Sequence, residues 1–539
     1  MRASVRVVTE DIVASSRRSR TIAAVLLGSM LLAPAPGARA ASMEELEQKL
    51  KGLEEQMRTL KEQMEQTKSA PPPTAPAAQA PATPVPVAPG ATSLSEALAA
   101  ARPSVLSDFR LGGYLSSRFE ASDLKNLNNT FTFRRFVLSG DATIAEKFRA
   151  YVELELERFT ELEVERKTVS ENGQQGFSQS IEGSNNSEVS LEQAWMQFEL
   201  AKWLRFRMGN ILVPVGRFNI NHDDNLWNLP RRSLVDRGVP VLPSTAAWSE
   251  VGLGFNGDVA TDRWGTFSYQ IYVMNGVALD SSIETVARGS GELEAEVEIQ
   301  PRRGTGNLDV KRDKAGAARI AWSPSIGQEL GLSGYYGRYT PDFLPSEQLW
   351  AISVDGKVTL GPFELEGEYV RTHFSGISRV AQGFARSVVN KEFGTGTAPL
   401  EAKIDFELSG LADTKQGYWI EARYRFFPNF LRDTILGRSF DNPQFILVAR
   451  GEQVWLDGLV RQIDFEDTMV TSISRENRFV NRMTLGLAYR PVPLIVFQAA
   501  FERTWTDSGK SLAAVTNFLP ARTTENIANT FLFGAAFGF

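Results

Sequence analysis

Residues 147–157 read KFRAYVELELE, and alternate side chains belong to two chemical classes. Phe148, Ala150, Val152, Leu154 and Leu156 fall on one face, and Arg149, Tyr151, Glu153, Glu155 and Glu157 on the other. A period of two belongs to an extended strand, whose successive side chains point to opposite sides. The same pattern returns at 204–209, where Leu204, Phe206 and Met208 oppose Arg205 and Arg207. It returns again at 418–426, where Tyr418, Ile420, Ala422, Tyr424 and Phe426 oppose Trp419, Glu421, Arg423 and Arg425. A soluble sandwich also alternates, but its polar face looks at bulk water and aromatic girdles at strand ends have no purpose there. Here one face stays apolar over the roughly 10 residues that carry a tilted strand across a bilayer, while charges line the other.

Sixteen such segments follow one another outward from this stretch, near 107–120, 130–142, 147–160, 188–200, 204–217, 247–258, 264–275, 314–324, 329–340, 347–360, 362–375, 415–427, 444–458, 476–490, 493–506 and 525–539. Their links alternate in length. Those after even-numbered segments are short, such as Ile144–Glu146, Ala201–Trp203 and Gly361; those after odd-numbered segments are mostly long, as at 161–187, 218–246, 276–313, 376–414, 459–475 and 507–524. Short periplasmic turns and long external loops are the signature of a membrane barrel. One link departs from it: 428–443 should be a short turn, so either it is elaborated or the count slips there. The fold expected is all-β, a sixteen-stranded antiparallel transmembrane β-barrel over 105–539, preceded by an α-helical coiled coil.

The N-terminal hundred residues divide into three. Residues 1–40 have a basic front at Arg17, Arg18 and Arg20, a short apolar core Thr21–Ala33 and a small-x-small site Ala38-Arg39-Ala40, the form of a cleavable secretory signal. In 41–68, Met43, Leu46, Leu50, Leu53, Met57, Leu60 and Met64 recur at spacings of three and four, a heptad seam for a periplasmic coiled coil roughly 33 Å long at 1.5 Å per residue. Residues 69–104 begin with a Pro/Ala tract suited to a semi-rigid spacer. At the other end, Phe531, Phe533, Phe537 and the terminal Phe539 share one face. That pattern resembles the signal read by the barrel-assembly machinery, and it is equally the closing strand of an aromatic girdle.

Composition narrows the classes. The chain has no cysteine, which excludes a lipid-anchored N-terminus and disulfides. Without the six basic and two acidic residues of 1–40, 52 basic and 62 acidic residues remain, net −10, a poor surface for nucleic acid. No Gly-x-Ser-x-Gly, phosphate-cradling glycine loop or Cys/His cluster occurs, so neither an enzyme nor a cofactor is expected.

The stretches FTFRRFVLSGDATIAEKFRAYVELELER (131–158), LEQAWMQFELAKWLRFRMGNILVPVGRF (191–218) and FLFGAAFGF (531–539) together resemble the phosphate-selective porin O and P family. They carry an Arg-Arg strand, an acidic third strand and a G-x-x-x-V-P-x-G approach to the constriction loop at Gly209–Gly216. The resemblance covers roughly 105–539. It implies a sixteen-stranded homotrimeric barrel and passive diffusion, with phosphate or polyphosphate selectivity through pore-lining Arg and Lys in some members. This chain departs from the phosphate-selective pattern: after residue 100 it has only eleven lysines, and 47 basic against 54 acidic residues.

A pore selects by its width and by the charges at its narrowest point. The loop 218–246 follows the fifth segment, where porins fold a loop into the lumen. It offers Arg231, Arg232 and Arg237 against Asp223, Asp224 and Asp236, with Arg217 just before it, as candidates for the constriction and for anion selectivity. Each arginine could instead pair with an acid and hold the loop to the wall. On the wall itself, Arg205, Arg207, Arg423, Arg425 and Arg482 face Glu153, Glu155, Glu157, Glu364, Glu366 and Glu368. Arg134 and Arg135 are neighbours, so strict alternation points one of them outward, which the membrane tolerates only near the headgroups. His222 and His373, the two histidines, are both expected in loops, and His222 with Asp223 and Asp224 is weighed as a divalent-ion site but not adopted.

The function expected is therefore an outer-membrane pore for small hydrophilic solutes, preferring anions, with phosphate as leading candidate. Its partners would be outer-membrane lipids, further copies of itself, the barrel-assembly machinery and small anionic or polar solutes. The rival readings are a non-specific general porin, a tether joining outer membrane to cell wall through the coiled coil, and a barrel hydrolase, which would need a Ser–His pair on the wall.

Overall fold

The structure, a computed structural model, describes residues 106–539 apart from 126–128, 145, 158–161, 172–173, 184–187, 237–240, 245–246, 289–291, 303–310, 343, 394–400, 407–411, 467–468 and 513–523. The expected signal, coiled-coil seam and linker lie outside the described residues, as does Arg237.

Sixteen strands close into an antiparallel barrel. In order around the wall they are β1 (Leu106–Ser122), β2 (Thr130–Ile144), β3 (Phe148–Glu157), β6 (Glu188–Ala201), β7 (Leu204–Leu212), β8 (Ser249–Thr261), β9 (Gly265–Met274) and β12 (Ala315–Ser323), followed by β13 (Gln328–Arg338), β14 (Gln348–Leu360), β15 (Phe363–Phe374), β17 (Thr414–Phe426), β18 (Gln444–Glu466), β19 (Met469–Arg490), β20 (Ile495–Trp505) and β21 (Ile527–Gly538). β21 then pairs with β1, from Tyr114↔Gly538 to Ser122↔Thr530. Closure removes the sheet edges, the only way for strands to satisfy every backbone group inside lipid. All sixteen segments expected from the alternation fall on these strands. The link 428–443 is an elaborated turn containing a one-turn 3-10 helix, Asn429–Leu431.

The barrel is apolar outside and charged inside. Phe148, Val152 and Leu154 of β3 are exposed, while Glu153 and Glu155, on either side of Leu154, are buried. The same inversion holds in β17, where Ile420 is 52% exposed and its neighbours Trp419 and Glu421 are fully buried. Near the short turns, rings touch from strand to strand around the rim: Phe363–Tyr424 at 4.8 Å, Phe445–Tyr489 at 4.9 Å, Tyr489–Phe497 at 6.3 Å and Phe497–Phe537 at 5.4 Å. This is an interfacial aromatic girdle. Phe539 ends it, its backbone N–H donating to the Gly113 carbonyl at 3.0 Å.

Three features differ from strict alternation and simple loops. Arg134 and Arg135 both face inward, because β2 bulges against β1: Ser116 pairs with Arg135 and Ser117 with Phe133, leaving Arg134 as an extra residue. A bulge re-aims a side chain, and here it spares the membrane an outward arginine. Next, the long links carry structure of their own. A hairpin β4 (Leu162–Glu171) and β5 (Gln174–Gly183) follows β3. β10 (Ala278–Arg288) and β11 (Glu292–Arg302) follow β9, and β16 (Glu401–Phe406) runs parallel to β11 and antiparallel to the outer part of β18. The segment 459–475, expected as a loop, is mostly the continued β18–β19 hairpin. A helix, α2 (Ile377–Phe393), follows β15 and buries Val380, Ala381, Phe384, Ala385, Val388 and Val389. Lastly, His373 lies in β15 rather than in a loop, with its Nδ1 3.0 Å from Thr414 Oγ1.

Candidate pore constriction

After β7 the chain leaves the wall and turns into the barrel. Val213-Pro214-Val215 carries it inward, and Gly216 turns it at φ +82°, a left-handed conformation natural to glycine. A Cβ there would also stand 2.5 Å from Glu368 Oε1. One turn of helix follows, α1 (Arg217–Ile220). Phe218 stacks on Trp227 at 4.3 Å, and Trp419 of β17 meets both edge-on at 6.2 and 5.5 Å. Most of the described residues of 211–249 are buried, so this loop fills much of the lumen at its level.

Every described arginine of the loop has carboxylate partners. Arg217 pairs with Glu366 of β15, with Glu329 of β13 at 2.7 Å and with Asp355 of β14 at 3.5 Å. Burial opposes its charge, but these three carboxylates overcome that and hold its pKa above the ordinary value. Arg231 bridges Glu502 of β20 and Glu120 of β1. Arg232 reaches Asp224 at 3.4 Å, Asp236 at 3.5 Å and the His222 carbonyl at 2.8 Å. Wall residues grip the loop backbone in return: Arg450 donates to the Arg231 carbonyl, Arg482 to the Arg232 carbonyl, and Glu452 accepts from the Leu234 N–H at 3.0 Å. Of the two roles weighed for these arginines, holding the loop to the wall is the one their contacts display.

Most of the expected wall residues take part in inward-facing pairs of alternating charge. Arg423 contacts Glu364, Glu366 and Glu421, Arg425 contacts Glu364, and Arg450 contacts Glu421. Arg482 pairs with Glu452 at 2.6 Å and lies 3.5 Å from Glu502. Arg135 pairs with Glu155 at 2.7 Å and with Glu157 at 3.4 Å, while Gln193 donates to Glu153 at 2.6 Å. Two members stand apart from the loop: Arg205 pairs with Asp258 at 2.7 Å, and Arg207 donates to Gln197 and lies 3.9 Å over the Trp195 ring. Glu368 accepts from the Phe218 N–H and from Trp419 Nε1.

The structure adds Arg118, Arg319, Arg450, Glu120, Asp355, Glu452 and Glu502, which were not singled out from the sequence; inward positions in their strands were the available signal. It also separates His222 from Asp224. Asp224 sits among Arg134, Arg135 and Arg232, which outweigh its burial and hold its carboxyl well below the usual range. His222 instead meets Glu192 and Glu153.

With a closed barrel, an inverted surface and an inward-folded loop in place, comparison with known proteins becomes informative. A family model, phosphate-selective porin O and P, matches residues 112–430, more than half of the chain. The chain belongs to that family. This porin is accordingly a member of a family of outer-membrane β-barrels. An uncharacterized protein of Aquifex aeolicus (strain VF5) is 24% identical over 332 residues, 60% of the porin and 63% of the relative, so the match spans less than two thirds of that protein. Among solved structures, OmpF of Salmonella typhi has a TM-score of 0.43 at 10% identity, covering 80% of the porin and 97% of that chain. OmpT of Vibrio cholerae, in a trimer form, has a TM-score of 0.42 at 8% identity, covering 80% and 99%.

Proposed function

We propose that this porin passes small hydrophilic solutes passively and prefers anions, with inorganic phosphate as the leading solute. The observation that carries the preference is a small cavity between the loop and strands β1, β2, β20 and β21. Arg118, Arg134, Arg231 and Arg232 line it with Asp224, while Glu120, Glu502 and Asp236 pair with these arginines from outside the lining, so guanidinium groups outnumber carboxylates at the cavity surface though not in the surrounding shell. The cavity measures about 10 Å³, room for about one water. The cluster therefore acts on a passing solute through its field. A local field at a constriction governs selectivity more than net charge does, which is why a mature net charge of −10 does not oppose an anion preference. Guanidinium groups suit phosphate because they stay charged and present a planar fork of donors.

One observation favours a second reading, a general porin without anion preference. Inward-facing arginines and glutamates alternate around much of the wall, and such an arrangement orients polar solutes of either sign. Reversal potentials across planar bilayers in a salt gradient separate the two. The anion reading expects a potential on the anion side that R118Q and R134Q together reduce, and a current that added phosphate blocks. A potential near zero in the native protein supports the general porin instead. We further propose a homotrimer, its three N-terminal segments 41–68 joined along the heptad seam, with Phe539 read by the assembly machinery. Cross-linking of the detergent-extracted protein reads the copy number directly.

A further inference from the structure

The wall strands β3 and β6 carry a cluster that the pore function does not use. Glu153, Glu192 and His222 each place a side-chain oxygen or nitrogen within 4.8 Å of the others, and all three residues are buried. Glu192 is there by a second bulge. Glu153 pairs with Gln193 and Leu154 with Leu191, so Glu192 is an extra residue in β6, turned inward where strict alternation would have placed Leu191. Bulges recur where a strand must re-aim one side chain at a site.

The cluster gathers three carboxylates, those of Glu153, Glu192 and Asp223, around one imidazole. Glu192 is 0% exposed; its Oε2 lies 3.3 Å from His222 Nε2, and its Oε1 receives no N–H or hydroxyl donor, with the Glu155 carboxyl as its hydrogen-bonding neighbour. Asp223 Oδ1, 3.7 Å from the same Nε2, is buried without a hydrogen bond. A buried carboxylate oxygen left without a donor is expensive to maintain. The imidazole is oriented as a metal ligand is: its Nδ1 faces the Asn219 carbonyl at 2.9 Å, which fixes the ring and aims Nε2 at the carboxylates. The Glu153 carboxylate is held in turn by Gln193 at 2.6 Å.

We propose that Glu153, Glu192 and His222, with Asp223 completing the set, bind a divalent cation of the zinc or manganese class. One imidazole with two or three carboxylates is a donor set for those ions. On binding, His222 Nε2 gives its proton to solvent and the cation takes the proton's place between ring and carboxylates. Because two ligands come from the wall and two from the loop, the ion staples the constriction loop to β3 and β6.

Calorimetric titration of the full-length porin in detergent, stripped with EDTA and dialysed, tests this with ZnCl2 and MnCl2. The expected result is one saturable site per chain for at least one ion, with a higher melting temperature when it is filled. E192Q and H222Q should each weaken binding about 100-fold or more, while E199Q, a carboxylate outside the cluster, leaves it unchanged. Heat-modifiable gel mobility reports whether each variant is folded. Absence of saturable binding by the folded native porin to either ion overturns the proposal. So does binding that folded E192Q and H222Q retain. Channel conductance is read separately, so its loss or survival bears on the pore and not on the ion.

Discussion

Single residues decide whether the loop stays in the lumen. Arg217 is the best example, because it ties α1 to three strands at once and leaves Glu366 and Asp355 buried if it is removed. Breaking a buried pair from one side costs about 3–5 kcal/mol, much more than an exposed pair contributes. Arg217→Ala should therefore lower stability by about that amount in urea titration and make single-channel current noisier as the loop loosens. Gly216→Ala should do the same to a lesser degree, by about 1–3 kcal/mol, since it forces a side chain into a left-handed turn against Glu368. The sequence showed which arginines the loop brings and the loop acids that Arg232 meets, Asp224 and Asp236, but not the partners on distant strands. Arg231 and Glu502 are 271 positions apart, and only barrel closure brings them together.

At the scale of strands and helices, the reading from the sequence was strongest where a physical period is repeated. Sixteen alternating segments became sixteen wall strands because water on one side and lipid on the other leave no freedom in the pattern. It failed where the period breaks. The bulges at Arg134 and Glu192 each insert one residue, and strict alternation has no means of locating such a slip. Helix α2 was legible and passed over: Ile377, Val380, Ala381, Phe384, Ala385, Val388 and Val389 follow the three-and-four spacing of a helix within a stretch taken as loop. Outward strand positions supply a direct check. Leu332 on β13 is 54% exposed, and Leu332→Arg should cost about 2–4 kcal/mol in folding into lipid vesicles if it lies near mid-bilayer. Ser333→Ala, on the inward face beside it, should cost far less; its hydroxyl accepts from the Gly216 N–H at 3.3 Å and adds one hydrogen bond, about 1 kcal/mol.

The described barrel is a sheet turned inside out, with a strap of chain drawn across its interior. Closure puts β21 against β1, the inverted alternation puts charge inside, and the loop after β7 supplies the narrowing. Each depends on the one before, since the loop has carboxylates to grip only because the wall strands present them inward. Replacing 218–246 with a short Gly/Ser link should leave the barrel assembled, raise single-channel conductance several-fold and remove ion preference together. The central claim is that the porin holds a continuous aqueous path through this constricted barrel. Single-channel recording of the refolded full-length protein in planar bilayers measures that path directly. Discrete conductance steps, enlarged by loss of the loop, are the predicted result; a correctly folded protein that stays silent with the loop and without it would contradict the account.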